Sequence, residues 1–162
     1  MQAWRLARKP YADLSGEGAR LAGGRWNSPG LPVVYLTAEA SLALLEVRVH
    51  LDLPFDLLPA DYVYMEVDLT GLAIEDAGLP DGPELCRTLG DEWLASARTP
   101  LLRVPSAIVP FSSNILLNPR HPAASGASVA AIHPVPSITG FGEALTASGS
   151  RGTALPPRPS GG

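Results

Sequence analysis

Glu46 is the residue of this 162-residue chain whose position most needs a chemical explanation. At 100° per residue, Leu42, Leu45 and Val49 mark an apolar stripe, and Glu46 falls about 40° from Leu42. Desolvating an ionised carboxylate there is costly unless it is paired or faces a cleft. Two readings stay open. Glu46 is a rim glutamate that reaches water or pairs with a core arginine, or it is a carboxylate held in a site to stabilise charge.

A second candidate is Gly23-Gly24-Arg25-Trp26-Asn27-Ser28-Pro29-Gly30. Two glycines let a backbone approach a ligand closely. Arg25 offers a planar donor fork for phosphate or carboxylate, Trp26 a stacking face, and Asn27 both donors and an acceptor. The plainer alternative is a tight turn with Trp26 in the core and Arg25 exposed. The segment is not a Walker A loop, having no Gly-Lys-Ser/Thr, and it is not a GxGxxG fingerprint. A third candidate is Val104-Pro105-Ser106, followed by Asn114 and by Asn118-Pro119-Arg120-His121-Pro122. Ser106 lies between β-prone runs and offers a positioned hydroxyl. No Gly-x-Ser-x-Gly elbow surrounds it, so a hydrolase triad is not supported. His121 among prolines reads as a turn or cap residue. His50, His121 and His133 lack metal-ligand spacing, so no metal site is expected. Cys86 is the only cysteine, which excludes an intramolecular disulfide and a Cys-rich zinc site.

Composition allows a scaffold for these residues. With 46% hydrophobic and 17% charged residues, the chain is a globular domain rather than a disordered one. Trp4 to Tyr11 reads as a first strand ended by Pro10, and residues 15–32 read as loop. Val33 to Leu36 is β-prone. Thr37 is placed to cap a helix over about 38–51, with Glu39 in its first turn. Residues 62–69 alternate, with Val63, Met65, Val67 and Leu69 on one face. A loop over 71–83 precedes a helix over 84–97, in which Gly90 is a weak point. Leu101 to Val104 and Ala107 to Val109 are short β-prone runs. Further segments begin at Asn114 and at Ala127, the latter as a last strand to Ile132. The mixture is that of an α+β fold. From Ser137 the character changes: 19 of the last 26 residues are Gly, Pro, Ser, Thr or Ala. The expected division is a domain over 1–136 and a low-complexity, disordered tail over 137–162.

Charge limits the partners. The net charge is −4, and Lys9 is the only lysine. With no Lys/Arg run there is no basic face for nucleic acid. No apolar stretch approaches 18 residues, and the first residues carry no signal-peptide core, so a cytoplasmic protein is expected.

Taken together, Gly23-Gly24-Arg25-Trp26-Asn27, Val34-Tyr35-Leu36 and Ala43-Leu44-Leu45-Glu46-Val47 resemble the bacterial RES-domain family. Gly90-Asp91-Glu92-Trp93-Leu94, Leu102-Arg103-Val104-Pro105-Ser106 and Leu117-Asn118-Pro119-Arg120-His121-Pro122 continue the resemblance in the same order, from Trp4 to about Pro134. It implies small mixed or antiparallel sheets forming a cleft, similar to ADP-ribosyltransferases, with flanking helices. It implies the toxin of a toxin–antitoxin module that depletes NAD by cleaving the nicotinamide–ribose bond, with water or inorganic phosphate as acceptor. NAD is then the substrate, with no other cofactor and no metal. The implied partner is an Xre-type helix-turn-helix antitoxin, with a homo-oligomer in that complex. The family's site arginine falls on Arg25, its tyrosine on Tyr35, its glutamate on Glu46 and its serine on Ser106. An N-terminal arginine falls on Arg5. Trp26 and Asn27 join the NAD-binding set, and Asn118 is a secondary member that organises the cleft wall. A mono-ADP-ribosyltransferase acting on a protein shares this cleft, and a catalytically dead relic that binds an antitoxin is the alternative outside enzymology. Two departures stand out. Phe111-Ser112-Ser113 stands where the family commonly has an acidic residue. The strand rich in Phe, Asp and Arg that follows in the family is replaced here by Val135-Pro136-Ser137 and the tail, so a C-terminal strand is expected to be lost.

Overall fold

The alternation of apolar and polar residues at 62–69 produces a strand, β3 (Tyr62–Asp68), and it organises one half of a sheet. It pairs along its full length with β1 (Gln2–Arg8), from Gln2 opposite Asp68 to Arg8 opposite Tyr62, and on its other side with β7 (Ser128–Pro134). The other half contains β2 (Val34–Thr37), β4 (Ile74–Asp76), β5 (Leu101–Pro105) and β6 (Ser113–Leu117). The strand order is β4-β5-β6-β2-β1-β3-β7, with only β4–β5 parallel. The helices are α1 (Glu17–Ala22), α2 (Ala40–Leu51) and α3 (Pro83–Ser96). This computed structural model describes residues 1–52 and 58–136. The tail call over 137–162 lies outside the described residues.

The two halves join at one point. Strands β1 and β2 share a single register pair, Trp4 opposite Thr37. The Thr37 hydroxyl donates to the Glu39 carbonyl at 2.7 Å, tying the end of β2 to the start of the next helix, and lies 3.3 Å from the Trp4 carbonyl. The α+β class and the mixed pairing expected from sequence are both present. The cleft arises within one seven-stranded sheet whose halves touch at that pair.

Period-2 alternation sends side chains to two faces, and each face has its own core. Val34, Leu36, Met65, Val67, Leu101, Ile115 and Leu117 cluster on one face. On the other, Leu102, Val104 and Leu116 pack with Trp26, Cys86, Trp93 and Leu94. Helix α3 is built for that second face. Its buried residues Cys86, Gly90, Trp93 and Leu94 repeat at the spacing of one helical stripe. Pro83 opens the helix in the first turn, where its missing N–H is harmless. Helix α2 lies against β1 and β2 on this same face.

Several local expectations change. Residues 15–32 are not all loop: α1 forms between Gly16 and Gly23, each at φ +70°. Thr37 is the last residue of β2 rather than a helix cap, and Glu39 occupies the cap position without a side-chain bond to the helix. Val49 is 60% exposed, so it does not belong to the buried stripe of α2, whose fully buried residues are Leu42 and Ala43. The helix is apolar nearly all round, which left its inward face undetermined by sequence. Residues 107–109 form no strand, and the loop read over 71–83 contains β4. The last strand runs over Ser128–Pro134 and still pairs with β3, although most of its side chains are exposed.

Gly90 is no weak point but a contact. A Cβ there would lie 1.9 Å from the Trp26 carbonyl oxygen, which is backbone and cannot swing away. Gly90→Ala should therefore destabilise the domain by at least about 2 kcal/mol, despite the better helix propensity of alanine. Urea unfolding of the two proteins measures this; equal midpoints would contradict the close packing.

Candidate active site

The split between β1 and β2 opens into a cavity of about 500 Å³. Its floor comes from Trp4, Arg5 and Leu6 on one strand and Tyr35, Leu36 and Thr37 on the other. Asn114 of β6 extends the floor, α1 and residues 23–25 form one lip, and α2 contributes Glu46, Val47 and His50. Residues from opposite faces of the sheet line the same space because the strands diverge past the Trp4–Thr37 pair. The size suits a small-molecule site.

Glu46 occupies the face of α2 that looks into this cavity and is partly buried. Its Oε1 accepts from Ser106 Oγ at 2.9 Å and from Asn114 Nδ2 at 2.9 Å. The Ser106 oxygen in turn accepts the backbone N–H groups of Ile108 and Val109, both at 3.1 Å. With both lone pairs occupied, its single proton points at Glu46. Ser106 thus stands behind the carboxylate and does not line the cavity. Asn114, which the sequence reading noted after Ser106 without giving it a role, bonds Glu46 and lines the cavity. Its signal was its place opposite Val104 and Thr37 on neighbouring strands, which only the sheet register reveals.

Arg5 lies on the cavity floor and is largely enclosed. Among the described residues its hydrogen-bond partners are the carbonyls of Tyr11 and Asp13, with no carboxylate paired to it. Burial pulls the guanidinium below its ordinary value, and the nearby Asp13 charge opposes that pull. Arginine nevertheless stays charged, so the floor carries positive charge with no countercharge bonded to it. Arg25 is exposed at the lip.

The lip is rigid by construction. The Tyr35 hydroxyl accepts the Trp26 N–H at 3.0 Å and donates to Asn27 Oδ1 at 2.8 Å. Asn27 Nδ2 donates to the carbonyls of Ala19 and Leu31, tying the turn to α1. From α3, Asp91 accepts both the N–H of Ser28 at 2.8 Å and its hydroxyl at 2.6 Å. Gly24 fits against Tyr35 only without a side chain, since a Cβ would lie 2.5 Å from the phenol oxygen. Tyr35 also faces the cavity. Trp26 and Asn27 do not: Trp26 is core beside Trp93, and Asn27 is fully buried in the turn. Asn118 sits at the far end of β6, where its Nδ2 donates to the Leu94 carbonyl at 3.3 Å. The structure therefore brings Arg5, Arg25, Tyr35 and Glu46 to the cavity, with Ser106 directly behind it, and places Trp26, Asn27 and Asn118 in the framework. Among the described residues no group of His, Cys, Asp and Glu is arranged to hold a metal ion, and no helix is long and apolar enough to cross a membrane.

A sheet opened at one pair over a carboxylate and two arginines defines the class, and the comparisons agree. The RES domain family model matches residues 2–138, and the chain belongs to this family. It is 40% identical over 136 residues to "Toxin Res" of Pseudomonas putida, covering 80% of this chain and 92% of that one. It is 38% identical over 139 residues to the "Prs ADP-ribosylating toxin" of a Sphingobium species, covering 76% and 85%. The fold is similar to that in the crystal structure of the Mycobacterium tuberculosis MbcT–MbcA toxin–antitoxin complex, with a TM-score of 0.72 at 21% identity over 90% of this chain and 88% of that one.

Burial pushes the Tyr35 phenol up to about 12, against the opposing pull of the Trp26 N–H. The unfolded chain ionises this group from about 10, so between 10 and 12 the native state binds more protons. Stability is fully present below that window and falls as pH rises through it, by roughly 3 kcal/mol over the whole span. Tyr35→Phe should flatten this part of the alkaline decline, as urea melts across the window would show. An unchanged decline would mean that Tyr35 ionises normally.

Proposed function

We propose that this protein is the toxin of a toxin–antitoxin module and that it cleaves the bond between nicotinamide and ribose in NAD. The observation that carries this reading is an anchored carboxylate, Glu46, sharing a cavity with the guanidinium of Arg5, which bonds two backbone carbonyls and no carboxylate. Two relatives support it by name. One is the P. putida toxin, and the other is "NAD(+) phosphorylase MbcT" of M. tuberculosis, 38% identical over 90 residues that cover 49% of this chain and 48% of that one.

The chemistry suits these residues. Nicotinamide leaves as a neutral base when the glycosidic electron pair collapses onto its ring nitrogen. That departure needs no strong acid. Positive charge then builds on the ribose, as in other glycosidic cleavages, and Glu46 stabilises it from the cavity wall. Water or phosphate adds to the vacated carbon through oxygen. With water, the surplus proton passes to solvent. Arg5 and Arg25 hold the pyrophosphate by charge and paired donors, and Tyr35 borders the nicotinamide pocket. The acceptor is the least constrained choice. A relative named as an ADP-ribosylating toxin gives a second reading, transfer of ADP-ribose to a protein. In both readings the partner is an antitoxin, a reading supported by a structural neighbour that is itself a toxin–antitoxin complex.

Purified protein incubated with NAD, with and without phosphate, should release nicotinamide. Glu46→Gln should lose about 10²–10⁴-fold in turnover while melting cooperatively. No release by the wild type under either condition would sink the proposal. A discrete modified protein in extract, seen by mass spectrometry without bulk NAD loss, would favour transfer instead.

A further inference from the structure

Of the three asparagines, Asn114 lines the cavity while Asn27 and Asn118 lie in the framework, and they are bonded differently. Asn27 pairs both ends of its amide, donating to the Ala19 and Leu31 carbonyls and accepting from Tyr35. Asn118 also pairs both ends, donating to the Leu94 carbonyl and accepting the Arg120 N–H at 3.0 Å. Asn114 is the exception. Its Nδ2 donates to Glu46 Oε1 at 2.9 Å, while its Oδ1 is buried with no hydrogen-bond partner. An unpaired buried acceptor costs the fold, and a valine at this strand position would avoid that cost. A residue present for stability alone would not be bonded in this way.

The second observation concerns Glu46. Both of its donors, Ser106 and Asn114, act on the same oxygen. Among the described residues Oε2 has no hydrogen-bond partner. The terminal torsion of a glutamate is broad and roughly two-fold, so its rotamer alone does not fix which oxygen faces outward or the tilt of the carboxylate plane. One donor leaves that plane free to turn about the bond. A second donor, arriving from strand β6 while Ser106 comes from the loop after β5, fixes it.

We propose that Asn114 is a positioning residue for the reaction: with Ser106 it locks Glu46 through Oε1 and leaves Oε2 as the oxygen presented to the ribose. This rests on the NAD-cleaving reading above. It assigns the charge-stabilising role to one atom and gives the unpaired Asn114 oxygen a reason, because turning the amide to pair that oxygen would withdraw the donor from Glu46.

The test uses Asn114→Val and Asn114→Asp in the full chain. Valine removes the donor together with the unpaired acceptor. Aspartate keeps the shape and sets an acceptor against Oε1. Both should lower kcat for nicotinamide release by about 10- to 100-fold, with KM within about 3-fold of wild type. Asn114→Val should melt no lower than wild type, which separates positioning from a structural role. A kcat within about 2-fold of wild type in the valine variant, or a loss that appears only in KM, would overturn the proposal. If the valine variant does not fold, the aspartate variant decides by the same kcat criterion. A wild type that releases no nicotinamide refutes the NAD reading itself. The Glu46–Asn114 bond is then read from melting temperatures of Glu46→Gln, Asn114→Val and the double variant, where simply additive shifts would overturn it as well.

Discussion

Strands β1 and β2 pair only where Trp4 meets Thr37, and the cavity depends on that brevity. A fully zipped β1–β2 ladder would close the space between them, leaving a flat sheet with a helix on it. Past the single pair the two half-sheets separate, so residues of both faces reach one cavity. Arg5, from the face carrying Ala3 and Met65, comes to stand near Glu46 on the helical side. Each half has long partners of its own to hold it while the middle opens. β1 is zipped to β3 over seven residue pairs, and β2 to β6 over four.

An opened sheet exposes what would otherwise be core, and polar bonds hold its edges in place. The lip is fixed by Tyr35, Asn27 and Asp91: the first two pair with each other and with backbone, and Asp91 accepts from the N–H and hydroxyl of Ser28. Helix α3 contributes twice, through the Asp91–Ser28 pair and through the contact of Gly90 with the Trp26 backbone. Such bonds are individually modest, but together they restrict the turn to one arrangement. Glu46 is handled by the same logic. Residues 60 and 68 positions further along the chain supply its donors. An ionised carboxylate in a partly buried setting is tolerable only because those donors are already in place.

Much of this was legible in the sequence, for identifiable reasons. The alternation at 62–69 and the Cys86–Leu94 stripe are strong periodic signals, and both became elements close to the expected bounds. The Glu46 anomaly was visible from helical angles alone. What escaped depends on long-range register. Val49 looked inward because α2 is apolar nearly all round, and only packing chose its buried face. Thr37 looked like a cap because Thr before a helical run usually is one; here its hydroxyl donates to the Glu39 carbonyl and not to a helix N–H. Trp26 and Asn27 have the right chemistry for a ligand, yet chemistry does not say which way a side chain points. Asn114 was noted after Ser106, but nothing local gave it a role. Its importance follows from standing opposite Val104 and Thr37, a relation between strands far apart in sequence.

The distribution of apolar burial explains why the site can be polar without weakening the domain. Each face of the sheet carries a cluster of its own, one aliphatic and one built on Trp26 and Trp93. Truncating a buried tryptophan costs about 3–5 kcal/mol, so these clusters carry a large part of the stability. Neither cluster includes Arg5, Glu46, Ser106 or Asn114. The unpaired oxygen of Asn114 and the desolvated guanidinium of Arg5 are therefore local costs borne beside two independent cores. Sites of this kind commonly break rules that the rest of a fold obeys. Here Asn114 sits on the row that runs across the sheet from Trp4 through Thr37, at which the strands part, and Arg5 is the next residue along β1 from that row.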